Sequence, residues 1–448
     1  MRKELGRWLV FSHVFETVFT MSPMIRTRSL FVSAVVLFSV AASSLVWAQA
    51  VIGLPALTSS AVGNHNQPFP SPSRGGAVQP LSSIASVLGQ SKPLVQRGPV
   101  AVRPHISYEI LSGTGILQNP GSPDDSVRHT VSAGTLVEIG PRASANYTLS
   151  RVMYSGGGFD DATNHHFMGQ ARLIGQDATF AASGSYSDLS NVLVETGSDT
   201  REKTISGQAS AIRSIGRATD IEASFSITDY NADVLTNVPG TQATSDRTQW
   251  NTATWIRRSY SRDFSLAAGV ALGYDEVAQS EDMSHVTPQL EVRWQPTRKL
   301  VFRADYGVER RRYRSIRSET NNRYSGSVTY SPFDTTSIST GFSRGVQPAF
   351  SLGETNLSKS WNVNVQQRLL ARLFLGLGAS ESSSEYRSVL FEGINRSDKY
   401  TSYSARLSTA ILGRVGVSSF YQRGRNRSSS TAYTFTTDQV GAEISYRF

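Results

Sequence analysis

The chain contains no cysteine, and its one long apolar run ends at residue 45. The absence of cysteine excludes disulfide bridges and thiolate metal sites. A mean hydropathy of −0.25, with 39% hydrophobic residues, excludes a helical membrane protein. A β-sheet protein tolerates this low apolar content, because only alternate residues of each strand have to be apolar.

Lysine is also scarce, since only six of the 44 basic residues are lysine and the others are arginine. The formal charge of +9 would suit a nucleic-acid partner. The arginines, however, are scattered through alternating segments and form no basic helix or arm, so we expect no nucleic-acid binding. The sequence has no glycine-rich phosphate loop or zinc motif, and we expect no cofactor.

The N-terminal region has the organisation of a secretory signal. A basic stretch at residues 24–28 precedes the apolar run 30–45, and small residues follow at 46–50. The run is shorter than the ~20 residues that a membrane-spanning helix needs. We therefore predict a signal peptide over residues 1–48, cleaved after Ala48 or Ala50. Met21 and Met24 are alternative start residues, because the signal is complete without the residues before them.

Residues 49–104 are rich in proline and small polar residues and show no sustained periodicity. This composition predicts a disordered periplasmic linker. We expect a single β-barrel domain over residues 105–448.

The end of the chain alternates strictly between apolar and polar residues. The apolar face comprises Val440, Ala442, Ile444, Tyr446 and Phe448, with polar residues or glycine between them. This pattern is typical of a transmembrane β-strand with one face toward lipid and one toward water. We expect Phe448 and Tyr446 to take part in membrane insertion and barrel closure.

Short turn sequences and longer polar stretches alternate along the rest of the chain. The turns lie at residues 139–142, 174–177, 215–217, 260–263, 295–299, 332–335, 370–372 and 412–414. The longer stretches lie at 119–126, 156–164, 188–200, 231–246, 278–282, 315–322, 346–355, 391–397 and 425–430. Eight turns and nine loops predict an all-β, antiparallel, up-and-down transmembrane barrel of about 18 strands, with 16 as the alternative.

Repeated strand–turn–strand units, such as VRWQPTRKLVFRADYGVERRRY at 292–313, and the ending SYRF resemble outer-membrane β-barrel porin families of Gram-negative-type bacteria. The resemblance covers about residue 102 to the end. It implies an outer-membrane location and contact with membrane lipid and lipopolysaccharide. It also implies insertion by the barrel-assembly machinery through the C-terminal strand. Assembly as a homo-oligomer stays open.

The resemblance implies passive diffusion of small hydrophilic solutes through the barrel as the first functional hypothesis. Some of these families accompany exopolysaccharide export systems. A barrel for such export or for envelope anchoring, with a periplasmic partner bound to residues 51–104, is therefore the alternative.

The alternation predicts a set of charged side chains on the lumen face. These pore-lining candidates are Arg293, Arg303, Asp305, Glu309, Arg311, Arg368, Arg406, Glu443 and Arg447. Opposed arginines and carboxylates would either filter solutes by charge or only pair with one another along the wall. Residues 231–246 are the best candidate for an inward-folded constriction loop, and the basic run 309–314 would meet anions or lipid phosphates at the outer rim.

A short stretch combines Asp160, Asp161, His165 and His166, which would be a conceivable metal or acid–base site. We expect these residues to be solvated parts of an external loop and the protein not to be an enzyme. An outer-membrane hydrolase is the least favoured hypothesis.

Overall fold

The computed structural model describes residues 93–114, 125–155, 160–193, 198–234, 246–278, 281–314, 318–349, 354–370, 372–388, 394–411 and 413–448. The expected signal peptide and residues 49–92 of the expected linker lie outside these ranges. In the described part of the chain, no helix is both long and apolar enough to cross a membrane.

The described residues form nineteen strands and one short 3-10 helix. The first ten are β1 Val95–Arg97, β2 Val100–Thr114, β3 Asp125–Ile139, β4 Ala143–Ser155, β5 Ala162–Ile174, β6 Ala178–Leu193, β7 Ser198–Ser214, β8 Thr219–Val234, β9 Arg247–Ser259 and β10 Phe264–Val277. The others are β11 Met283–Thr297, β12 Leu300–Tyr313, β13 Ser318–Phe333, β14 Thr336–Pro348, β15 Glu354–Arg368, β16 Leu373–Ser388, β17 Ile394–Ile411, β18 Val415–Ser428 and β19 Phe435–Arg447, with the 3-10 helix Thr431–Tyr433 before β19.

Strands β2 to β19 form one closed antiparallel barrel. Each strand pairs with the next along the chain, and β19 closes the ring by pairing with β2 from Asp438 opposite Thr114 to Arg447 opposite His105. Closure leaves no open edge among these strands, which is the condition for a sheet surrounded by lipid. The prediction of an 18-strand up-and-down barrel is confirmed.

All eight predicted turns connect the expected strand pairs. Gly140 and Gly413 adopt φ of +55° and +72° in two of them, a left-handed conformation that suits glycine. The strands at the opposite end are longer than the sequence suggests. Most of the predicted loop 188–200 belongs to β6 and β7, because polar residues beyond the membrane continue the antiparallel ladder.

The first barrel strand begins at Val100 and not at the expected residue 105. Pro104 is compatible with this strand because it lies just past the last residues of β2 that pair with β19, where its missing N–H leaves no gap in the ladder. The carbonyl of Pro104 accepts a hydrogen bond from the Phe448 amide at 3.2 Å, just past the last paired residues. The short strand β1 pairs with the start of β2, opposite residues Val100 to Val102.

The outer surface of the barrel is apolar. Leu290 and Val440 are each 60% exposed, and Trp294 is 49% exposed. Other exposed apolar side chains on the outward faces include Ile106, Val131, Phe167, Ile205, Ile256, Val270, Tyr306, Phe342, Trp361, Leu377, Leu407 and Ile444. An 18-strand closed barrel with this exterior is a transmembrane barrel of the outer-membrane type, in which the short turns face the periplasm.

The alternation on β15 gives a direct test of this arrangement. Val365 faces outward in a row with Ile338 and Leu377, whereas Asn364 faces the lumen. We expect Val365→Arg to destabilise the barrel by roughly 2–4 kcal/mol, because the charge enters the lipid. Asn364→Arg should cost much less, since its side chain meets water. Urea unfolding in lipid vesicles measures both; equal costs would contradict the assigned faces.

Candidate functional site: the barrel lumen

Much of the inner wall is lined by small neutral polar side chains. Hydroxyl groups of adjacent strands hydrogen-bond to each other across the sheet at 2.6–2.8 Å. These pairs are Ser132–Ser150, Ser185–Ser206, Ser343–Ser360 and Ser380–Ser402. The neutral wall contrasts with β8 to β12, which carry two charged groups of side chains.

The first group, here called the periplasmic cluster, lies near the short-turn end and is centred on Glu291 of β11. Three guanidinium groups surround this carboxylate. Arg257 donates from Nη2 at 3.0 Å, Arg303 donates from Nη2 at 2.7 Å, and Nε of Arg293 lies 2.6 Å away. The Glu291 side chain is only 1% exposed, whereas those of Arg293 and Arg303 are 34% and 26% exposed. The acid is thus buried and two of its arginines face the lumen.

Small residues on β10 make this cluster possible. Ala267 lies between Arg257 and Glu291 in the sheet register, so that Arg257 can reach across β10. Its other nitrogen, Nη1, donates to Glu222 of β8 at 2.9 Å. At Gly269, an added Cβ would come within 2.7 Å of the Trp255 ring, so only glycine leaves room for that ring. Arg257 of β9 therefore links Glu222 on β8 with Glu291 on β11.

The second group, the external cluster, lies toward the long-loop end and is centred on Arg311, whose side chain is 2% exposed. Arg311 donates to Asp275 at 3.0 Å, to Glu309 at 3.0 Å and to the carbonyl oxygen of Val346 at 2.9 Å. Gln249 donates to the second oxygen of Asp275 at 3.0 Å. These contacts surround a buried cation with acceptors, which is the arrangement that a buried charge needs.

The external end of β14 leans into the lumen. Arg247, at the start of β9, donates to the Pro348 carbonyl oxygen at 2.7 Å, although four strands separate β9 from β14 in the wall. Ala349 is 2% exposed, and Arg311 holds the neighbouring Val346. This segment narrows the external half of the lumen. Of the predicted constriction loop 231–246, residues 235–245 lie outside the described residues.

The structure brings most of the predicted pore-lining residues into pairs on the inner face. Arg406 donates to Glu443 at 3.1 Å and lies over the Phe420 ring. Asp305 accepts a hydrogen bond from Ser325. Arg368 and Arg447 lie at the periplasmic ends of β15 and β19, apart from both clusters.

The basic run 309–314 is divided between the two sides of the wall. Glu309 and Arg311 face inward and are buried, whereas Arg310 and Arg312 face outward and are exposed. Arg314, 81% exposed, lies 3.4 Å from Asp282. The run is therefore not a single patch at the rim.

The two adjacent histidines do not form one site. Both belong to β5 and not to the loop that the sequence suggests. His165 bonds the Tyr147 hydroxyl at 2.9 Å on the outer face, and His166 bonds the Ser187 hydroxyl at 3.0 Å on the inner face. Consecutive strand residues point to opposite faces, so their imidazoles diverge. The described residues contain no group of three or more His, Cys, Asp or Glu placed to hold a metal ion.

Sequence reasoning did not single out Glu291, Arg257, Glu222 or Asp275 as partners in the lumen. Their positions follow the same alternation as the predicted residues, so the signal for their inward orientation was present. The pairing between them depends on the register of neighbouring strands, which alternation does not give.

No family model matches the chain, and no curated protein matches its sequence. Several solved structures align with it. OpdQ of Pseudomonas aeruginosa aligns at 11% identity over 79% of this chain and 99% of its own, with a TM-score of 0.43. OccK2 of the same organism, in complex with glucuronate, aligns at 11% identity over 78% and 98%, with a TM-score of 0.42. OccAB3 of Acinetobacter baumannii aligns at 10% identity over 78% and 99%, with a TM-score of 0.41.

The external cluster predicts a large effect of removing its cation. Arg311→Met should destabilise the barrel by roughly 3–5 kcal/mol, because Asp275 and Glu309 would remain buried without their arginine. Arg314→Met removes an exposed ion pair in the same strand region and should cost less than about 1 kcal/mol. Urea midpoints of the two refolded variants test the difference, and similar midpoints would count against Asp275 and Glu309 being buried and dependent on Arg311.

Proposed function

We propose that the protein is a non-catalytic outer-membrane channel through which small hydrophilic solutes diffuse. The observation that carries this proposal is the exposure of inward-facing polar side chains. Asn362 and Gln366 point into the barrel and are nevertheless exposed. Water therefore reaches the inner wall, as expected for a barrel of this strand number.

The periplasmic cluster supports a charge preference for the channel. Its carboxylates, Glu291 and Glu222, are buried, whereas Arg293 and Arg303 present partly exposed guanidinium groups to the lumen. A passing ion meets the arginines first, which favours anions over cations. Arg293 and Arg303 also pair with Glu291 in the wall, so the same two side chains would both neutralise the buried acid and select passing ions.

The inward lean of β14 supports a size limit at the external end. Arg247 and Arg311 fix this segment through carbonyl oxygens of Pro348 and Val346. Because both arginines are themselves buried in the wall, the narrowing is held at two points. Solutes would pass beside this segment and then meet the periplasmic cluster.

We further propose export through a signal peptide over residues 1–48 and insertion by the barrel-assembly machinery through β19. The ending of β19 supports this step. The rings of Tyr446 and Phe448 lie edge to face with centroids 4.7 Å apart at the periplasmic end of the closing strand pair. The apolar exterior supports contact with outer-membrane lipid and lipopolysaccharide, and a homo-oligomer is compatible with it.

Reconstitution in planar lipid bilayers tests the channel. We expect stepwise increases in conductance on adding the full-length mature protein, because water fills the lumen. A folded protein that inserts and gives no conductance steps would overturn the proposal.

The charge preference has its own test. The double substitution Arg293→Gln and Arg303→Gln leaves Glu291 paired with Arg257, so the fold should persist. We expect the chloride-to-potassium permeability ratio to fall by about fivefold or more, since each of the two unit charges removed is worth about 1 kcal/mol at ~4 Å in water. Arg213→Gln, an outward-facing arginine on β7, is the control and should leave the ratio unchanged. A ratio that is the same in all three proteins would assign the arginines to wall pairing alone.

A further inference from the structure

Basic side chains of neighbouring strands lie in a row on the outward face of the barrel, near the long-loop end. In the sheet register, Arg344 of β14 lies opposite Lys359 of β15, and Lys399 of β17 lies opposite Arg427 of β18. Ser383 of β16 connects the two pairs. Strand β18 adds Arg423 and Arg425 on the same face. The six basic residues together are here called the outer basic row.

Part of the outer basic row has acidic partners and part has none. Lys399 lies 2.9 Å from Glu381, Lys359 lies 3.4 Å from Glu385, and Arg423 lies 3.7 Å from Asp438. Arg425 and Arg427 are exposed and, among the described residues, make no ion pair or side-chain hydrogen bond. Two outward guanidinium groups are thus available to an external anion.

The charge of the outer surface differs on the other side of the barrel. At the same end, the outward faces of β8 and β10 carry carboxylates, namely Asp229, Asp233 and Glu276. Outward basic side chains also occur at this end on β7 and β12, namely Lys203, Arg310 and Arg312. The outer basic row is thus one of several charged groups around the rim, and its six basic residues lie on β14 to β18.

The position of the row relative to the apolar surface places it in the membrane. Tyr403 lies opposite Arg423 of the row, and toward the periplasm the outward face of the same strands continues with Tyr421 and Leu407. Aromatic residues mark the membrane interface of such barrels. The basic row therefore begins where the hydrocarbon layer ends, at the depth of the lipid headgroups.

We propose that the outer basic row binds the phosphate groups of lipopolysaccharide in the outer leaflet, with Arg425 and Arg427 as its main anion ligands. The proposal rests on the outer-membrane placement given above and does not depend on conduction. Arginine suits this role because its planar fork donates two hydrogen bonds to one phosphate and stays charged. Charge complementarity between cations at this depth and anionic headgroups favours binding.

The test compares the mature wild-type protein with the double variant Arg425→Ser and Arg427→Ser. The control variant is Arg213→Ser with Arg258→Ser, which removes two outward arginines at the periplasmic end. Each folded protein in detergent is titrated with bisphosphorylated lipid A, with dephosphorylated lipid A and with phosphatidylglycerol. Heat-modifiable migration on gels verifies that the barrels are folded.

We expect the double variant to bind bisphosphorylated lipid A at least about tenfold more weakly than wild type, and the control to bind as wild type does. Removing the lipid phosphates should abolish the difference between variants. Unchanged binding by the double variant would overturn the proposal. Equal binding of phosphatidylglycerol would overturn the assignment to lipopolysaccharide. The bilayer conductance of the double variant should match wild type. A wild-type protein without conductance would overturn the channel proposal alone, whereas an unchanged lipid titration would overturn lipopolysaccharide binding alone.

Discussion

The pairing of every backbone amide and carbonyl within the membrane is the constraint on which this structure depends. Lipid offers no hydrogen-bond partner, so a sheet can cross it only as a closed ring. Here closure is made by β19 and β2, which come from opposite ends of the described barrel. With the ring closed, the parity of a residue in its strand decides whether its side chain meets lipid or the lumen. Charged side chains that would be costly on the lipid-facing side can therefore be placed on the lumen-facing side, where they pair with one another.

The lumen shows how closure permits a high density of buried charge. Glu291 is almost fully buried, and a lone carboxylate there would be strongly disfavoured. Three arginines on neighbouring inward positions offset this cost, and the small side chains of β10 allow one of them to reach. Because buried ion pairs contribute little net stability, their value here is in fixed geometry. They hold guanidinium groups at the surface of the lumen and hold the external end of β14 in its inward position.

Much of the fold could be predicted from the sequence, because alternation and turn residues are local signals. They gave the eighteen strands, the eight turns and the inward side of Arg303, Glu309 and Arg406. Strand ends were less predictable, since polar residues continue a ladder as well as apolar ones do. The contacts of the site could not be predicted. The reach of Arg257 depends on the register of three strands, and the contact of Arg247 with Pro348 joins residues 101 positions apart.

The run from Glu309 to Arg314 shows why residue type alone does not assign a role in such a barrel. Arg311 is a buried cation that holds two carboxylates and a carbonyl, while Arg310 and Arg312 on either side of it lie exposed on the outer surface. A shift of one residue in the strand would exchange these environments and leave a buried pair of acids without a cation. The external cluster thus fixes the register of β12. The same register sets which arginines face the lumen and which face the membrane.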